Sequence, residues 1–288
     1  MSIDEKEGTA MRPDGIRVKG DDPMYSLMPY FLTKRYDAMN MVTLDIPVAP
    51  LREYINAQRA NGVKLSHLAL ILAAYVRTAA EFPALNRFIG GNHKIYAHKG
   101  LSVAMVVLRP GRAGNTSAKL KFRPEDDIFT VQNKIVEAVT ASRNAEENNN
   151  LDKIMGVLLK VPFLAPVLTG ILRFLDRHGL LPQAICDVSP FHASLLITNL
   201  ASIRTNHIYH HIYEFGTTSV AVAMGNLREV PKRTKEGIEL ERCIPLGVVM
   251  DERICSGHYF SQAFARLKEY LNKPSLLEGP PRYINPEI

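Results

Sequence analysis

Tryptophan is absent from this 288-residue chain, and cysteine is scarce: Cys186, Cys243 and Cys255 are odd in number and far apart. They fit neither a disulfide framework nor a zinc-ligand spacing, which points to a reducing compartment. Long uncharged runs are missing too. The most apolar segment, Met155 to Leu175, contains an uncharged stretch of only 12 residues, Val161 to Leu172, against roughly 20 for a membrane-spanning helix. Pro162, Pro166 and Gly170 interrupt it. The expectation is therefore no transmembrane span, with contact at a membrane surface through residues 154–175 left as an alternative. The opening MSIDEKEGTAMRPDG has no apolar signal core, so a cytoplasmic location is expected.

Several motifs are also lacking. There is no phosphate loop of the GxxxxGK type, no GxGxxG after a strand, no HExxH and no GxSxG. The spacings of metal sites are missing, so no metal is expected. No basic run interleaved with aromatics occurs, which argues against nucleic acid. What is present is ordinary globular composition, 46% apolar and 22% charged, enough for a sizeable core. Thirty-five Lys+Arg against 29 Asp+Glu leave a net charge of +6 spread along the chain, a surface that suits an anionic ligand.

The periodicities predict mixed strands and helices in one domain. Pro23–Arg35 reads as a short amphipathic helix, Asn40–Val48 as a strand, and Ala49–Ala60 as a helix stopped at Asn61-Gly62. Ser66 is placed to cap a helix that runs to Ala80. A short strand pair follows around Gly90-Gly91, then a strand over Leu101–Leu108 and an edge strand over Ala118–Phe122. Ile128–Arg143 is helical, and residues 146–150 form a solvated loop. The apolar segment then reads as a helical pair broken around Pro162 and Pro166, with Val167, Leu168, Ile171, Leu172 and Leu175 on one stripe. His192–Leu200, Thr217–Met224 and Ile238–Met250 are strands, and Gly257–Asn272 is an amphipathic helix ended by Pro274. That order argues α/β or α+β.

The strand-turn-helix passage VVMDERICSGHYFSQAFARLKEYLNKP resembles the catalytic domain of 2-oxoacid dehydrogenase E2 acyltransferases and chloramphenicol acetyltransferase. Asp251, Arg253 and Gly257 match the family phrase D-H-R-x-x-D-G. Upstream, SHLALILAAYVRTAAEFPALNRFI, GLSVAMVV, ITNLASI and TTSVAVAMGNLREVP resemble further family segments in the right order, from about Pro23 to Leu277. The resemblance implies a chloramphenicol acetyltransferase-like two-layer sandwich of mixed sheet and helices. It implies a coenzyme A thioester as acyl donor, a small-molecule acceptor, and a homotrimer with the site between subunits. Residues 23–278 would form the catalytic domain, after a flexible lead-in over 1–22 and before a tail over 279–288. The apolar segment would be an insertion at about 151–182, read as extra core packing or as a cover over an acyl chain. No lipoyl domain or lipoyl-lysine is recognised, so a role as the core of a dehydrogenase complex is not expected.

Two departures bear on chemistry. The family's catalytic histidine is Glu252 here, and the aspartate before the glycine is Ser256. A glutamate lies about 4 units below a thiol in ordinary pKa, so taking a thiol proton is uphill by about 5–6 kcal/mol unless burial intervenes. Glu252 is therefore either a carboxylate paired with Arg253 or another cation, or a base, or a group orienting a histidine. His210 and His211 are the nearest substitutes for the imidazole, or else packed loop residues. Thr198 keeps a hydroxyl where the family has the oxyanion-stabilising serine, or simply suits a strand. His192 lies too far along its strand to cooperate with Thr198 within one chain. His258 is expected to face outward, and Cys255 is a further candidate, as an acyl-accepting nucleophile. The readings are an acyltransferase using Glu252 and Thr198 by an altered mechanism, or a non-catalytic trimeric scaffold or ligand-binding protein of the same fold.

Overall fold

Large and small residues alternate in VAVAMGN, and this sorts the two faces of the central sheet. The computed structural model describes residues 12–18, 23–108, 115–144 and 163–288. Ten strands occur there: β1 Gly15–Arg17, β2 Met39–Pro47, β3 Arg87–Ile89, β4 Ile95–His98, β5 Leu101–Leu108, β6 Asn115–Phe122, β7 Leu195–Asn199, β8 Val220–Met224, β9 Arg228–Arg233 and β10 Ile238–Asp251. The main sheet runs β2-β10-β8-β7-β5-β6, with β9 paired to the first half of β10. β7 is parallel to both β5 and β8, and the other pairs are antiparallel. The sheet is therefore mixed, as a chloramphenicol acetyltransferase-like α/β sandwich requires.

Val220, Val222 and Met224 of β8 share a face with Ile197 of β7 and with Leu246, Val248 and Met250 of β10, all buried. Four helices cover that face: α2 Val48–Ala60, α3 His67–Glu81, α4 Ile128–Asn144 and α7 Gly257–Asn272. α3 is the central one, with every residue from Leu68 to Ala80 buried. Its start is set by Ser66, whose Oγ accepts the Ala69 N–H at 3.1 Å. The small residues Ala221, Ala223 and Gly247 occupy the opposite face, and the segment through residues 207–212 lies on that strip. A Cβ on Gly247 would meet the carbonyl oxygen of Ile208 at 2.2 Å, so only glycine admits so close an approach.

Four expectations need correction. Gly15–Arg17, inside the stretch expected to be a lead-in, forms β1 and adds to β4 in a second, three-stranded sheet β1-β4-β3. His192 precedes β7 rather than lying on it. The expected break at Pro166 is not a break: helix α5, Leu164–His178, takes this proline in its first turn, where a missing N–H costs little. Nor does its stripe fill the core. Val167, Leu168 and Ile171 are exposed, and Asp176 is the buried residue of the helix. Pro162, the loop at 146–150 and the start of the apolar segment lie outside the described residues. The remaining helices are α1 Pro23–Phe31 and α6 Gln183–Val188. Among the described residues no helix is long and apolar enough to cross a membrane.

The second sheet carries a pH-sensitive group. His98 on β4 is buried, with Nε2 3.2 Å from the Thr217 carbonyl, and burial pushes its pKa down to about 4. The unfolded chain takes up this proton near pH 6.5 and the folded protein only near 4, so stability present above 6.5 is lost as pH falls between them. Urea unfolding should lose up to about 3 kcal/mol at acid pH through this group. His98→Gln should remove that part of the pH dependence, and an unchanged profile would contradict the assignment.

Candidate functional site

The end of β10 turns directly into α7, and its residues divide their tasks. Asp251 is fully buried, and Arg253 grips its carboxylate with Nε at 2.8 Å and Nη2 at 2.6 Å. Arg35, also buried, brings Nε to 3.5 Å from the same carboxylate. Arg253 donates further to the Leu32 carbonyl, and Arg35 to those of Tyr213 and Gly216. One acid thus holds two arginines and ties the β10–α7 turn to two other loops. Burial lowers the Arg35 pKa against the attraction of Asp251. Ser256 caps α7, its Oγ accepting the Tyr259 N–H at 3.1 Å.

Glu252 stands between these anchors, half-buried, with its backbone N–H on the Ala38 carbonyl. Its carboxylate accepts one side-chain hydrogen bond, from Asn40 Nδ2 at 2.6 Å. The expectation that it pairs with Arg253 or another cation does not hold: Arg253 is taken by Asp251, and no ion pair reaches Glu252 among the described residues. His258 faces outward, as expected, and bonds Gln262. Cys255 is buried, which removes it as an accessible nucleophile.

Thr198 on β7 lies in one cross-strand row with Ala223, Gly247 and Thr43. It therefore points away from the helix-packed core. The residue is 6% exposed, and its Oγ1 is buried without a hydrogen-bond partner. A buried hydroxyl left unpaired costs about 1–3 kcal/mol, so such a group calls for an explanation. From the strand spacings, Glu252 lies roughly 20 Å from Thr198 within one chain. The two do not meet in a single subunit.

The histidines flank β2. His207 sets Nε2 3.0 Å from Thr43 Oγ1, Tyr209 bonds the same hydroxyl at 2.7 Å, and Ile212 donates its N–H to Met39 Sδ. His210 and His211 fall between Tyr209 and Ile212, so they track the strand that carries Asn40. His210 Nδ1 bonds the His211 carbonyl at 3.0 Å, and His211 is exposed. Neither hydrogen-bonds Glu252. His207, whose Nδ1 is buried and unpartnered, is the better-placed member of the cluster, and spacing alone could not separate it from its neighbours.

A further chain of hydrogen bonds was not legible in sequence. Asp176 Oδ1 faces His192 Nε2 at 3.1 Å, and His192 Nδ1 faces Ser189 Oγ at 2.8 Å. Asp176 Oδ2 accepts the Gly216 N–H at 2.8 Å. Burial works to raise the Asp176 pKa, but the bonds from His192 and Gly216 and the nearby charges outweigh it and hold the carboxylate ionised. That fixes the proton of His192 on Nε2 and fastens the end of α5 to the loop at Gly216. His192 also lies near Asp14 and Cys186, with potential ligand atoms within 4.8 Å of one another. The trio does not suit a cation. Both His192 nitrogens are engaged, Asp14 is paired with Arg12, and burial pushes the Cys186 thiol up to about 11. Lys119 crowds the same place, donating to the Cys186 and His192 carbonyls.

A cavity of about 640 Å³ opens between the end of α5, the β3–β4 turn and the loop at residues 33–35. Arg35 and Arg253 line it, but Glu252 and Thr198 do not.

No family model and no curated protein matches the chain. Solved structures do match. The cubic core of a pyruvate dehydrogenase multienzyme complex superposes with a TM-score of 0.59 at 15% identity, covering 90% of this chain and 94% of that one. The dihydrolipoamide acetyltransferase of Azotobacter vinelandii, whose mechanism was probed at a serine, a histidine and an asparagine, gives 0.58 at 15% identity with the same coverage. A chloramphenicol acetyltransferase gives 0.53 at 12% identity, covering 89% of this chain and 99% of that one. The chain has the acyltransferase fold that these proteins share.

Proposed function

We propose that this protein is an acyltransferase that moves an acyl group from a coenzyme A thioester to a small acceptor, in a site shared by neighbouring subunits of a homotrimer. The observation that carries the reading is the Thr198 hydroxyl, buried and unpartnered, at the residue that the sequence resemblance aligns with the family serine. A hydroxyl so placed is ready to donate to the oxyanion that forms when an acceptor attacks a thioester carbonyl. The roughly 20 Å between Thr198 and Glu252 within one chain is what a site shared across a subunit border requires. A cubic core, as in one of the similar structures, is itself built on threefold axes.

Glu252 is held by Asn40 through Oε2, which leaves Oε1 to face an acceptor. In this reading the acceptor is a thiol rather than an alcohol, because a thiol gives up its proton more cheaply to a weak base. The acceptor sulfur bonds to the acyl carbon, the coenzyme A sulfur leaves, and the acceptor proton passes by way of Glu252 to that thiolate. The protein with acetyl-coenzyme A and dihydrolipoamide should release free coenzyme A, and Glu252→Gln should lower kcat about 10²-fold. Native turnover no faster than the uncatalysed exchange would overturn the proposal.

One observation favours a second reading: among the described residues no histidine bonds Glu252, whose partner is the neutral amide of Asn40. A trimer that binds ligand without turnover would look the same. Under that reading the native protein is inactive, and Glu252→His with Ser256→Asp creates acetyl-coenzyme A-dependent activity.

A further inference from the structure

The cavity at the end of α5 collects positive charge with little acid left to answer it. Arg12, Lys34, Arg35, Arg173, Arg177 and Arg253 line it, against Asp176 and Glu214. Both acids are already used. Asp176 serves His192, the Gly216 N–H and Arg12, and Glu214 accepts the backbone N–H groups of Arg35 and Tyr36. Behind the wall, Asp251 is divided between Arg35 and Arg253, and Asp14 is committed to Arg12. Lys34, Arg173 and Arg177 have no side-chain hydrogen bond or ion pair among the described residues. Six cations thus face two carboxylates in the lining, and the cavity is net positive.

The cavity is also built rather than incidental. Arg12, Arg35 and Arg253 are each more than nine-tenths buried, so part of its wall is preset. Arg35 Nε is buried without a hydrogen-bond partner, a cation not fully answered by its acid. A Cβ at Gly91 would lie 2.2 Å from the Arg177 carbonyl oxygen, so the β3–β4 turn and α5 close tightly on one side. Arg173 and Arg177 stand one helical turn apart on α5, the spacing that lets two side chains converge on one group. Between them Phe174 is 58% exposed, with its ring 4.1 Å from that of His178, and both line the cavity. The volume, about 640 Å³, falls within the usual range for small-molecule sites.

We propose that this cavity binds a nucleoside diphosphate group, with the diphosphate between Lys34, Arg173 and Arg177 and the base against Phe174. Guanidinium forks suit paired phosphate oxygens, and an exposed ring offers a stacking face. Neither Glu252 nor Thr198 lines the cavity, so the assignment is independent of the acyl-transfer reading where the source is a free nucleotide and rests on that reading where it is coenzyme A. Two sources share this chemistry, a free nucleotide and the nucleotide end of coenzyme A.

Calorimetric titration of the full chain with ADP at low salt tests it. Saturable binding is expected, weakened about tenfold or more in the double variant Arg173→Ala, Arg177→Ala, whose side chains are exposed. AMP should bind more weakly than ADP. Lys232→Ala, at an exposed lysine on β9 paired with Glu241, should bind like the native protein. Coenzyme A displacing ADP would make it the source, and coexistence of the two would make the ligand a separate nucleotide. No saturable binding at millimolar ADP, or equal loss in the Lys232 variant, would overturn the proposal.

Discussion

Asp251→Ala is expected to cost about 3–5 kcal/mol of folding free energy, the penalty of leaving buried charge without its partner. The expectation rests on one carboxylate, fully buried, that answers both Arg253 and Arg35. Remove it and two guanidinium groups remain in the interior without the carboxylate that binds both of them. Asp251→Asn keeps the shape but not the charge and should fall in between. Asp45→Ala provides the contrast: Asp45 pairs with Arg228 at a solvent-accessible edge, where such pairs are worth about 0–1 kcal/mol. Urea midpoints at constant slope measure all three. If Asp251→Ala costs no more than Asp45→Ala, the turn that carries Glu252 is not held as described. The phrase that the sequence resembles has a second acid five residues later, where this chain has Ser256. The serine supplies a helix cap instead of a charge, and Asp251 is left as the counter-ion for Arg35.

Thr198→Val separates activity from stability. Removing an unpaired buried hydroxyl while keeping the volume leaves stability unchanged or slightly raised. If that hydroxyl donates to an oxyanion, kcat for acyl transfer should fall about 10²-fold, corresponding to roughly 3 kcal/mol of transition-state stabilisation. A merely structural threonine would give the opposite pattern, with stability altered and turnover untouched. Steady-state release of coenzyme A beside a urea curve decides between them.

The sheet and its helices were legible because their signals are local. Ser66 and Ser256 precede apolar periods and cap α3 and α7, and the β-branched run at Leu101–Leu108 sits in the sheet between β6 and β7. Glu252 and Thr198 are candidates through motif order, and they lie at a strand end and in a strand. The exposed stripe of α5 was misjudged because periodicity shows that a helix has an apolar face, not what covers it. β1 was missed because three residues carry no period. The cationic cavity was invisible for a different reason: its cations come from positions 12, 34–35, 173–177 and 253, brought together by folding alone. His207 could not be told from His210 and His211 until Gly247 and Thr43 showed which of the three the sheet holds.

In the proposed function, Thr198 and Glu252, about 20 Å apart in one chain, complete a site across a subunit border. Co-expression of Thr198→Val chains with Glu252→Gln chains tests it most directly. Each homomeric variant should be nearly inactive. Random mixing in equal amounts pairs an intact Thr198 with a neighbour's intact Glu252 at about a quarter of the borders, so about a quarter of native activity should return. Mixed assemblies that remain as inactive as either parent would contradict the account.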